Sequence, residues 1–248
     1  MKILVCISHV PDTTSKINFT NNLTQFDGNG ITYVINPYDE FGLTRAMKIK
    51  ESTGATITVV NVGPTSTEPT LRKALAIGAD DAVRIDTEPK DASTVARLIA
   101  DYAKEQNFDL IVTGRESIDY NGGIVPGMLA TYLDMPFVNA CIGFELNGTE
   151  AQVIREIDGG KETLKGSLPM LIAGQKGLVD EKELRIPAMR GIMMARKKPL
   201  SVVSAGNTDA NTTVVNFEVP EVKAACTMID AGNVEQLVEL LHTEAKVI

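Results

Sequence analysis

Short apolar runs alternate with helical patterns over residues 1–140. Continuous apolar runs are typical of strands that are buried on both faces of a parallel sheet, and they occupy residues 2–8, 55–62, 82–85 and 110–113. The segments between them place apolar residues three or four positions apart, most clearly at 95–103, as in a helix with one buried face. This order predicts an α/β fold with an open, doubly wound, mostly parallel sheet of the Rossmann-like, adenine-nucleotide-binding type.

Capping residues predict where two of these helices begin and end. Asp39 is predicted to be the N-cap of the first long helix, whose apolar positions follow at 43, 46 and 47. A second helix is predicted to begin at Thr67, because Pro69 then lies in the first turn, where its missing N–H has no helical partner. That helix is predicted to end at Gly78, since glycine favours the left-handed conformation that closes many helices.

The pattern changes after Pro136 to short strands that are separated by turn residues. Asn147-Gly148 and Asp158-Gly159-Gly160 suit hairpin turns, which predicts an added β-hairpin region with strands at 141–146, 151–157 and 162–166. The apolar run at 169–174 is expected to return to the main sheet. Residues 205–213 are poor in large apolar residues and indicate a linker, and a helix is predicted at 233–245. We therefore expect an α/β domain at 1–204 and an extended C-terminal arm at 205–248.

The composition argues against several classes of protein. The 248 residues carry a net charge of -8, which argues against a nucleic-acid partner. No apolar run approaches the roughly 18 residues that a membrane helix needs, and the first residues lack the pattern of a signal peptide, so we expect a cytoplasmic protein without direct membrane insertion. Three widely spaced cysteines without a CxxC pair argue against a disulfide framework or a metal site formed by this chain alone, and each is expected to be buried.

The loop after the strand at 110–113 is the first candidate for chemistry. It reads GRESIDYNGGIVPG (114–127) and leads into a predicted helix at 125–133. Glycines ahead of a helix expose backbone N–H groups that suit a phosphate, but the loop is neither a P-loop nor a GxGxxG motif. The residues therefore leave a nucleotide phosphate and a plain strand–helix connection both open. The loops at 8–15, 36–38 and 62–64 are expected at the same edge of the sheet, where open α/β proteins bind ligands.

Groups for acid–base catalysis are scarce. His9 and His242 are the two histidines, so neither a Ser–His–Asp triad nor a histidine-rich metal site is expected. His9 is either a ligand contact or a loop residue without a functional task. Asp119 is interpreted as a capping group of the glycine-rich loop. The basic run 196–198 either attracts an acidic partner or is solvated.

A longer segment, VIREIDGGKETLKGSLPMLIA (153–173), resembles the signature of the electron transfer flavoprotein β subunit. The likeness lies in Arg155, the turn 158–160, Glu162, Leu164, and Pro169 ahead of an apolar strand. Four further landmarks fall in register, namely VCISHVPDT, INPYDEFGLTRA, LRKALAIGADDA and GIMMARKKPL. The resemblance covers nearly the whole chain.

This resemblance implies an electron carrier rather than an enzyme, built from two different subunits. An α subunit would hold most of an FAD, and the β subunit would bind AMP or, in electron-bifurcating members, a second FAD. Electrons would pass from flavin dehydrogenases, such as the acyl-CoA dehydrogenases of fatty acid oxidation, to a quinone oxidoreductase. The terminal helix of this chain is then expected to pack on the α subunit.

The resemblance also assigns residues to roles. The family's AMP contacts fall on Cys6, Asn36, Pro37, Tyr38, Asp39, Val62, Gly114, Arg115, Glu116, Ser117, Ile118, Asp119, Tyr120, Asn121, Gly122, Gly123, Ile124 and Val125. The flavin-proximal positions are Thr13 and Glu162. The docking loop for dehydrogenases has Met189 as its apolar anchor and is completed by Ile186, Ile192, Met193 and Arg196. Without the resemblance, the alternative is that Met189 is a core methionine.

Departures from the family pattern leave the bound ligand open. Most members have Gln-Thr where this chain has Ile124-Val125, so a phosphate would depend on backbone N–H groups around Gly122 and Gly123. Bifurcating members carry a run similar to DGDTAQ where this chain has DYNGGI, and some members have a tyrosine at the position of Thr13. AMP is therefore preferred to a second FAD, and an empty or altered site is the remaining alternative.

Two other functional classes account for less of the chain. A nucleotide-dependent hydrolase would carry a Ser-Gly-Gly loop after the first strand, but SHVPDTTS (8–15) contains no glycine. A nucleotide-binding stress protein would have a glycine where this chain has Ser117, and it would leave the hairpins and residues 185–200 without a role.

Overall fold

The computed structural model describes residues 1–222 and 225–248. The strands of these residues are β1 (Lys2–Cys6), β2 (His9–Pro11), β3 (Phe19–Thr20), β4 (Gln25–Phe26), β5 (Tyr33–Ile35), β6 (Thr56–Val62), β7 (Asp81–Asp86), β8 (Leu110–Gly114), β9 (Phe137–Asn147), β10 (Glu150–Ile157), β11 (Gly160–Ser167), β12 (Met170–Gly174) and β13 (Leu200–Ser204). The helices are α1 (Pro37–Thr53), α2 (Glu68–Ile77), α3 (Ala92–Lys104), α4 (Val125–Leu133), α5 (Met189–Ala195) and α6 (Val234–Thr243). Within these residues, no helix combines the length and the apolar character that crossing a membrane requires.

Nine strands form one sheet in the order β11-β10-β9-β12-β8-β1-β6-β7-β13. The pairs β9–β10 and β10–β11 are antiparallel, and the other neighbours are parallel. The predicted doubly wound, mostly parallel sheet with an added hairpin region is therefore confirmed. From β1 the chain builds outward through β6 and β7, and then crosses to β8 on the other side of β1. The strand order thus reverses between β1 and β8.

Both faces of the sheet are covered by an apolar layer. Alternate residues of β1 point to opposite faces, so Ile3 and Val5 join the layer under α1 and α2, while Leu4 and Cys6 join the layer under α3 and α4. Strands buried on both faces have apolar residues at most positions, which explains the mostly apolar character of the four predicted runs.

The predicted helices are present, with one correction. Helix α1 begins at Pro37, with Asn36 as the flanking residue, so the prediction that Asp39 is its N-cap is wrong. The Asp39 side chain instead lies buried within the first turn. Helix α2 has Pro69 in its first turn and ends at Gly78, as predicted.

The hairpin region follows the predicted turns. Gly148 and Gly159 both have positive φ angles, of 63° and 81°, and they connect β9 to β10 and β10 to β11. Strand β9 begins earlier than predicted, because its first residues pair with β12 and its later residues pair with β10. Strand β12 returns to the centre of the sheet as predicted.

Strand β13 was not predicted. Its sequence, LSVVS, is short and half-exposed, so its periodicity gives little signal. Its pairing with β7 depends on α5, which packs on α2 and brings the chain back to that edge of the sheet. The exposed position of Cys226 also contradicts the expectation that all three cysteines are buried.

The segment predicted as a linker is attached to the α/β domain. Asp91, the N-cap of α3, accepts hydrogen bonds from the backbone N–H groups of Asn211 and Thr212 at 2.7 and 3.0 Å. Arg97 donates to the carbonyl of Asp209 at 2.8 Å. Hydrogen bonds to the Asp91 carboxylate hold its pKa well below the usual range. The bond from Thr94 is the largest cause, and those from Asn211 and Thr212 add to it.

A second attachment follows further along the arm. The ring of Phe217 stacks on Phe19 of β3 with 4.5 Å between the ring centroids, and its backbone N–H donates to the carbonyl of Leu23 at 2.7 Å. The arm therefore leaves the α/β domain only after Phe217.

Candidate functional site

Three loops meet where the strand order reverses between β1 and β8. The backbone N–H of Asn36 donates to the carbonyl of Ser8 at 3.1 Å, which joins the start of α1 to the loop after β1. The amide of Asn36 donates to the carbonyl of Glu116 at 2.9 Å and accepts from the N–H of Ile118 at 3.2 Å. The loops around residues 8, 36 and 116 thus lie side by side at the edge where the sequence places them. Crevices at such a point of reversal bind ligands in open α/β sheets.

A buried carboxylate ties the two diverging strands together. Asp39 accepts the N–H of Ser8 at 2.7 Å on one oxygen and the N–H of Gly114 at 2.8 Å on the other. Burial raises its pKa to about 7, and these backbone hydrogen bonds act in the opposite direction. A Cβ at Gly114 would lie 2.8 Å from the Cβ of Tyr38, so the strand end needs glycine there. Because Asp39 already engages its N–H, Gly114 has no amide donor left for a ligand.

The loop after β8 contains both paired and free backbone donors. Its paired N–H groups belong to Gly114, Arg115, Ile118, Tyr120 and Asn121. Four consecutive N–H groups, those of Gly122, Gly123, Ile124 and Val125, have no acceptor among residues 1–222 and 225–248. The longest run of free donors in this loop therefore lies at the start of α4.

The backbone conformation of this cluster suits an anion. Gly123 has a φ of 60°, in the left-handed region. Ile124 follows with a φ of −93° and a ψ of −37°, in the right-handed helical region. Left-handed and right-handed residues in succession point neighbouring N–H groups toward one side, which forms an anion-binding concavity. The positive end of the α4 dipole adds to this, and no side chain caps the helix. Within the glycine-rich loop, Asp119 accepts the N–H of Tyr120 at 2.9 Å, as expected of a capping group of that loop.

An ion pair lies beside the loop. The guanidinium of Arg115 donates to Glu116 at 2.9 Å and to the amide oxygen of Gln175 at 3.0 Å, and it lies 5.5 Å from the centroid of the Tyr38 ring. The hydrogen bond with Glu116 raises the pKa of Arg115. Glu116 approaches Gly123, so its negative charge next to the free N–H groups is balanced by Arg115.

The floor of the crevice is apolar. Cys6 and Val62 end neighbouring strands and belong to the same buried layer. Burial, followed by the charge of Asp39, raises the pKa of the Cys6 thiol far above its usual range, so the thiol stays protonated and unreactive. The side-chain amide of Asn61 donates to the carbonyl of Ile7 at 2.8 Å and holds the ends of β1 and β6 together.

The two flavin-proximal positions lie outside this cluster. Thr13 is exposed in the loop after β2. Glu162 belongs to β11, four strands away from β8 in the sheet, and pairs with Arg155 of β10 at 2.5 Å.

His9 lies in β2, where it stacks on Tyr33 with centroids 4.2 Å apart and contacts the hydroxyl of Thr70 at 2.8 Å. Burial lowers the pKa of His9, which favours the neutral ring.

The predicted docking segment presents an apolar surface to solvent. Ile186, Met189 and Met193 are 86%, 75% and 67% exposed, and Ile192 and Arg196 are also exposed. The alternative that Met189 is a core methionine is therefore wrong. Ile186, Met189, Ile192 and Met193 are called the methionine patch below.

The segment that carries the methionine patch is held against helix α2. Arg72 of α2 donates to the carbonyls of Ala195 and Lys198, both at 2.8 Å. The ammonium of Lys198 donates to the carbonyls of Leu75 and Ala79 at the end of α2, so this part of the basic run 196–198 is bound rather than solvated. The backbone of Gly191 lies against α2 so closely that a Cβ there would overlap the chain.

Comparison with known proteins identifies the family. The electron transfer flavoprotein domain matches residues 24–208. The electron transfer flavoprotein subunit beta of Bacillus subtilis is 37% identical, and the match covers the whole of both chains. The chain belongs to the electron transfer flavoprotein family. Human electron transfer flavoprotein subunit beta is 30% identical over 91% of each chain, and the mitochondrial subunit beta of rice is 30% identical over the whole of both chains.

Membership makes this electron transfer flavoprotein chain an electron carrier rather than an enzyme. That conclusion agrees with the site, where backbone donors and an apolar floor predominate. Sequence reasoning missed Thr113 and Gln175, which are buried polar residues at the ends of β8 and β12. The sequence offered one clue to both residues. Each is a polar residue at the end of an apolar run, which is where a parallel strand reaches the carboxyl edge of the sheet.

Proposed function

We propose that this chain is the β subunit of a heterodimeric electron transfer flavoprotein that binds AMP at the reversal between β1 and β8. An α subunit holds most of the FAD, and the pair carries electrons from flavin dehydrogenases, such as acyl-CoA dehydrogenases, to a quinone oxidoreductase. We place the heterodimer in the cytoplasm. The rice relative, by contrast, is named as a mitochondrial protein. Family membership and the shared β-subunit names of the relatives support the proposal.

The run of free N–H groups from Gly122 to Val125 carries the nucleotide part of the proposal. A single phosphate fits one such concavity at a helix start. The base then extends across the end of β1 toward Cys6 and Val62, which offer apolar contact. Tyr120 and Ile124 are exposed beside the concavity, and they depart from the DGDTAQ-like run of bifurcating members, which favours AMP over a second FAD.

Bound AMP acts through stability rather than chemistry. It contributes no redox centre, and a ligand that binds only the native state stabilises the fold by mass action. The crevice suits this role because it joins residues from β1, α1 and the loop after β8. The nucleotide thus strengthens the point where the two halves of the sheet diverge.

Two surfaces account for the protein partners. The methionine patch docks on dehydrogenases, because methionine side chains adapt to different apolar surfaces and the support on α2 keeps them exposed. The arm at 205–248 reaches the α subunit, and α6 packs there through Val234, Leu237, Val238 and Leu241. No residue of α6 is buried against its own chain within the described parts of the structure.

The decisive experiment identifies the ligands of the heterodimer. The chain is co-expressed with an electron transfer flavoprotein α subunit from the same organism, and the ligands released by acid are identified and counted by mass spectrometry. We expect one AMP and one FAD for each pair of subunits. Two FAD molecules would replace the AMP proposal with the bifurcating type, and a colourless chain without a flavin-containing partner would refute the heterodimer.

A further inference from the structure

A buried hydroxyl without a partner lies beside the proposed nucleotide site. Thr113 is the residue before Gly114 in β8, and it is 4% exposed. Its Oγ1 atom is shielded from solvent and makes no hydrogen bond with residues 1–222 or 225–248. Buried polar groups in native proteins almost always have partners, because an unpaired one costs free energy. This exception therefore needs an explanation.

The sheet register shows where this side chain lies. Val112 is paired with Val5 of β1, so Thr113 is next to Cys6. Side chains alternate along a strand, which places Thr113 on the same face as Ile111 and therefore in the layer that contains Cys6 and Val62. Val125 and Leu129 of α4 cover this layer. Thr113 thus lies at the carboxyl end of β8, between the apolar floor and the start of α4.

The start of α4 lacks polar side chains of its own. Its first residues are Ile124, Val125 and Pro126, which offer backbone N–H groups but no side-chain donor. The adjacent Gly114 cannot help, because its N–H is bound to Asp39. A hydroxyl at position 113 is therefore well placed to add a directional hydrogen bond to the anion-binding backbone.

We propose that the Thr113 hydroxyl binds the sugar–phosphate part of the nucleotide whose phosphate is held by the N–H groups of residues 122–125. This inference rests on the proposed function and adds a contact residue to that site. The hydroxyl can donate to a phosphate oxygen or accept from a ribose hydroxyl. In either case, the ligand supplies the partner that the protein does not.

Two substitutions separate this role from packing. Thr113→Val keeps the shape of the side chain and removes the hydroxyl, whereas Thr113→Ser keeps the hydroxyl and removes the methyl group. Each full-length variant is freed of small molecules in denaturant, refolded and titrated with AMP by calorimetry. We expect Thr113→Val to weaken AMP binding about tenfold, and Thr113→Ser to remain within about threefold of the original chain.

The melting temperature of the ligand-free chain is a second measurement. Loss of the hydroxyl should weaken AMP binding but should not lower this melting temperature. Without AMP, Thr113→Val should melt at the same temperature as the original chain or at a higher one, because it removes an unpaired buried polar group. The rise in melting temperature on adding AMP should be smaller in this variant. Thr131→Val controls for refolding, since it makes the same change at an exposed position on α4.

Three outcomes overturn the inference. If Thr113→Val binds AMP as tightly as the original chain, the hydroxyl does not contact the nucleotide. A lower melting temperature of Thr113→Val without AMP, together with an unchanged AMP-induced rise, would give the hydroxyl a purely structural role. If the original chain binds no AMP at all, the proposed nucleotide site fails, and this inference fails with it.

Discussion

At the scale of single residues, Asp39 shows how tertiary position changes the meaning of a sequence pattern. An aspartate near the start of a helical segment usually caps the helix. Here Asn36 comes before the helix, and Asp39 turns inward to accept two backbone N–H groups, one from Ser8 in the loop after β1 and one from Gly114 at the end of β8. A carboxylate suits this position because both of its oxygens are acceptors.

The first prediction concerns this carboxylate. Asp39→Asn places an NH2 group, which cannot accept a hydrogen bond, against the N–H of either Ser8 or Gly114. One buried N–H then loses its acceptor, so we expect the free energy of unfolding to fall by about 1–3 kcal/mol. The measurement is urea unfolding at pH 8.5, where a group whose pKa is about 7 is ionised in the native protein.

The matched control is Asp119→Asn. Asp119 also accepts a backbone N–H, but it lies in the exposed part of the loop after β8. Its replacement should change the unfolding free energy by less than about 0.5 kcal/mol. Equal losses in the two variants would show that the bonds from Ser8 and Gly114 add no stability beyond that of a surface turn.

At the scale of elements, α5 shows a short helix that depends on its support. Seven residues are too few for a stable isolated helix, and the exposed methionines add no burial of their own. Hydrogen bonds from Arg72 and Lys198 join the end of α5 to α2, and the glycine at 191 permits close contact between the two helices. The result is an apolar surface held in place without being buried.

The second prediction tests this surface as the dehydrogenase contact. Met189→Ala removes most of a 75% exposed side chain while leaving the contacts with α2 in place. We expect electron transfer from the dehydrogenase to lose about tenfold in kcat/KM, as for an anchor residue at the centre of an interface, with unchanged flavin content.

Met228→Ala is the control for this experiment. Met228 is 85% exposed but lies in the arm, outside the methionine patch. It should leave kcat/KM for the dehydrogenase unchanged. Normal kinetics in Met189→Ala, or an equal loss in both variants, would count against the patch as the docking surface.

At the scale of the whole molecule, the arm divides into an attached part and a free part. Its first residues are bound to the start of α3 through Asp91, and Phe217 stacks on Phe19. Beyond that point α6 has an apolar stripe, and none of its residues is buried by the described parts of the chain, although such a stripe normally faces a protein surface. The attached part directs the arm, and the free part is available to a partner subunit.

The third prediction follows from this division. Deletion of Asn233–Ile248 should weaken assembly with the α subunit about tenfold or more, because each half-exposed apolar side chain that becomes buried adds about 1 kcal/mol. The measurement is the dissociation constant of the two subunits by analytical ultracentrifugation. The thermal unfolding of the deleted chain alone serves as the control, and it should be unchanged because α6 is not packed on its own domain. Unchanged assembly would remove α6 from the interface.

The sequence by itself determined the main sheet, the helices α1 to α4, the hairpins and the loop after β8. These features arise from local causes: continuous apolar runs, helical periodicity, and glycines that adopt positive φ angles. The residue pattern also predicted the terminal helix α6, and the resemblance to a known family assigned a docking role to residues 186–196. Periodicity could not show that β13 pairs with β7, since pairing at the edge of a sheet depends on distant chain contacts.

Only the tertiary structure decided which groups of the site are free to bind. Residues far apart in the chain, such as Asp39 and Gly114, satisfy one another. The N–H groups of residues 122–125 and the hydroxyl of Thr113 find no partner among the residues that the structure describes. Hydrogen-bond satisfaction is a property of the folded arrangement, because every donor competes for acceptors brought to it from other parts of the chain. A sequence shows which donors exist, and the fold determines which of them remain for a ligand.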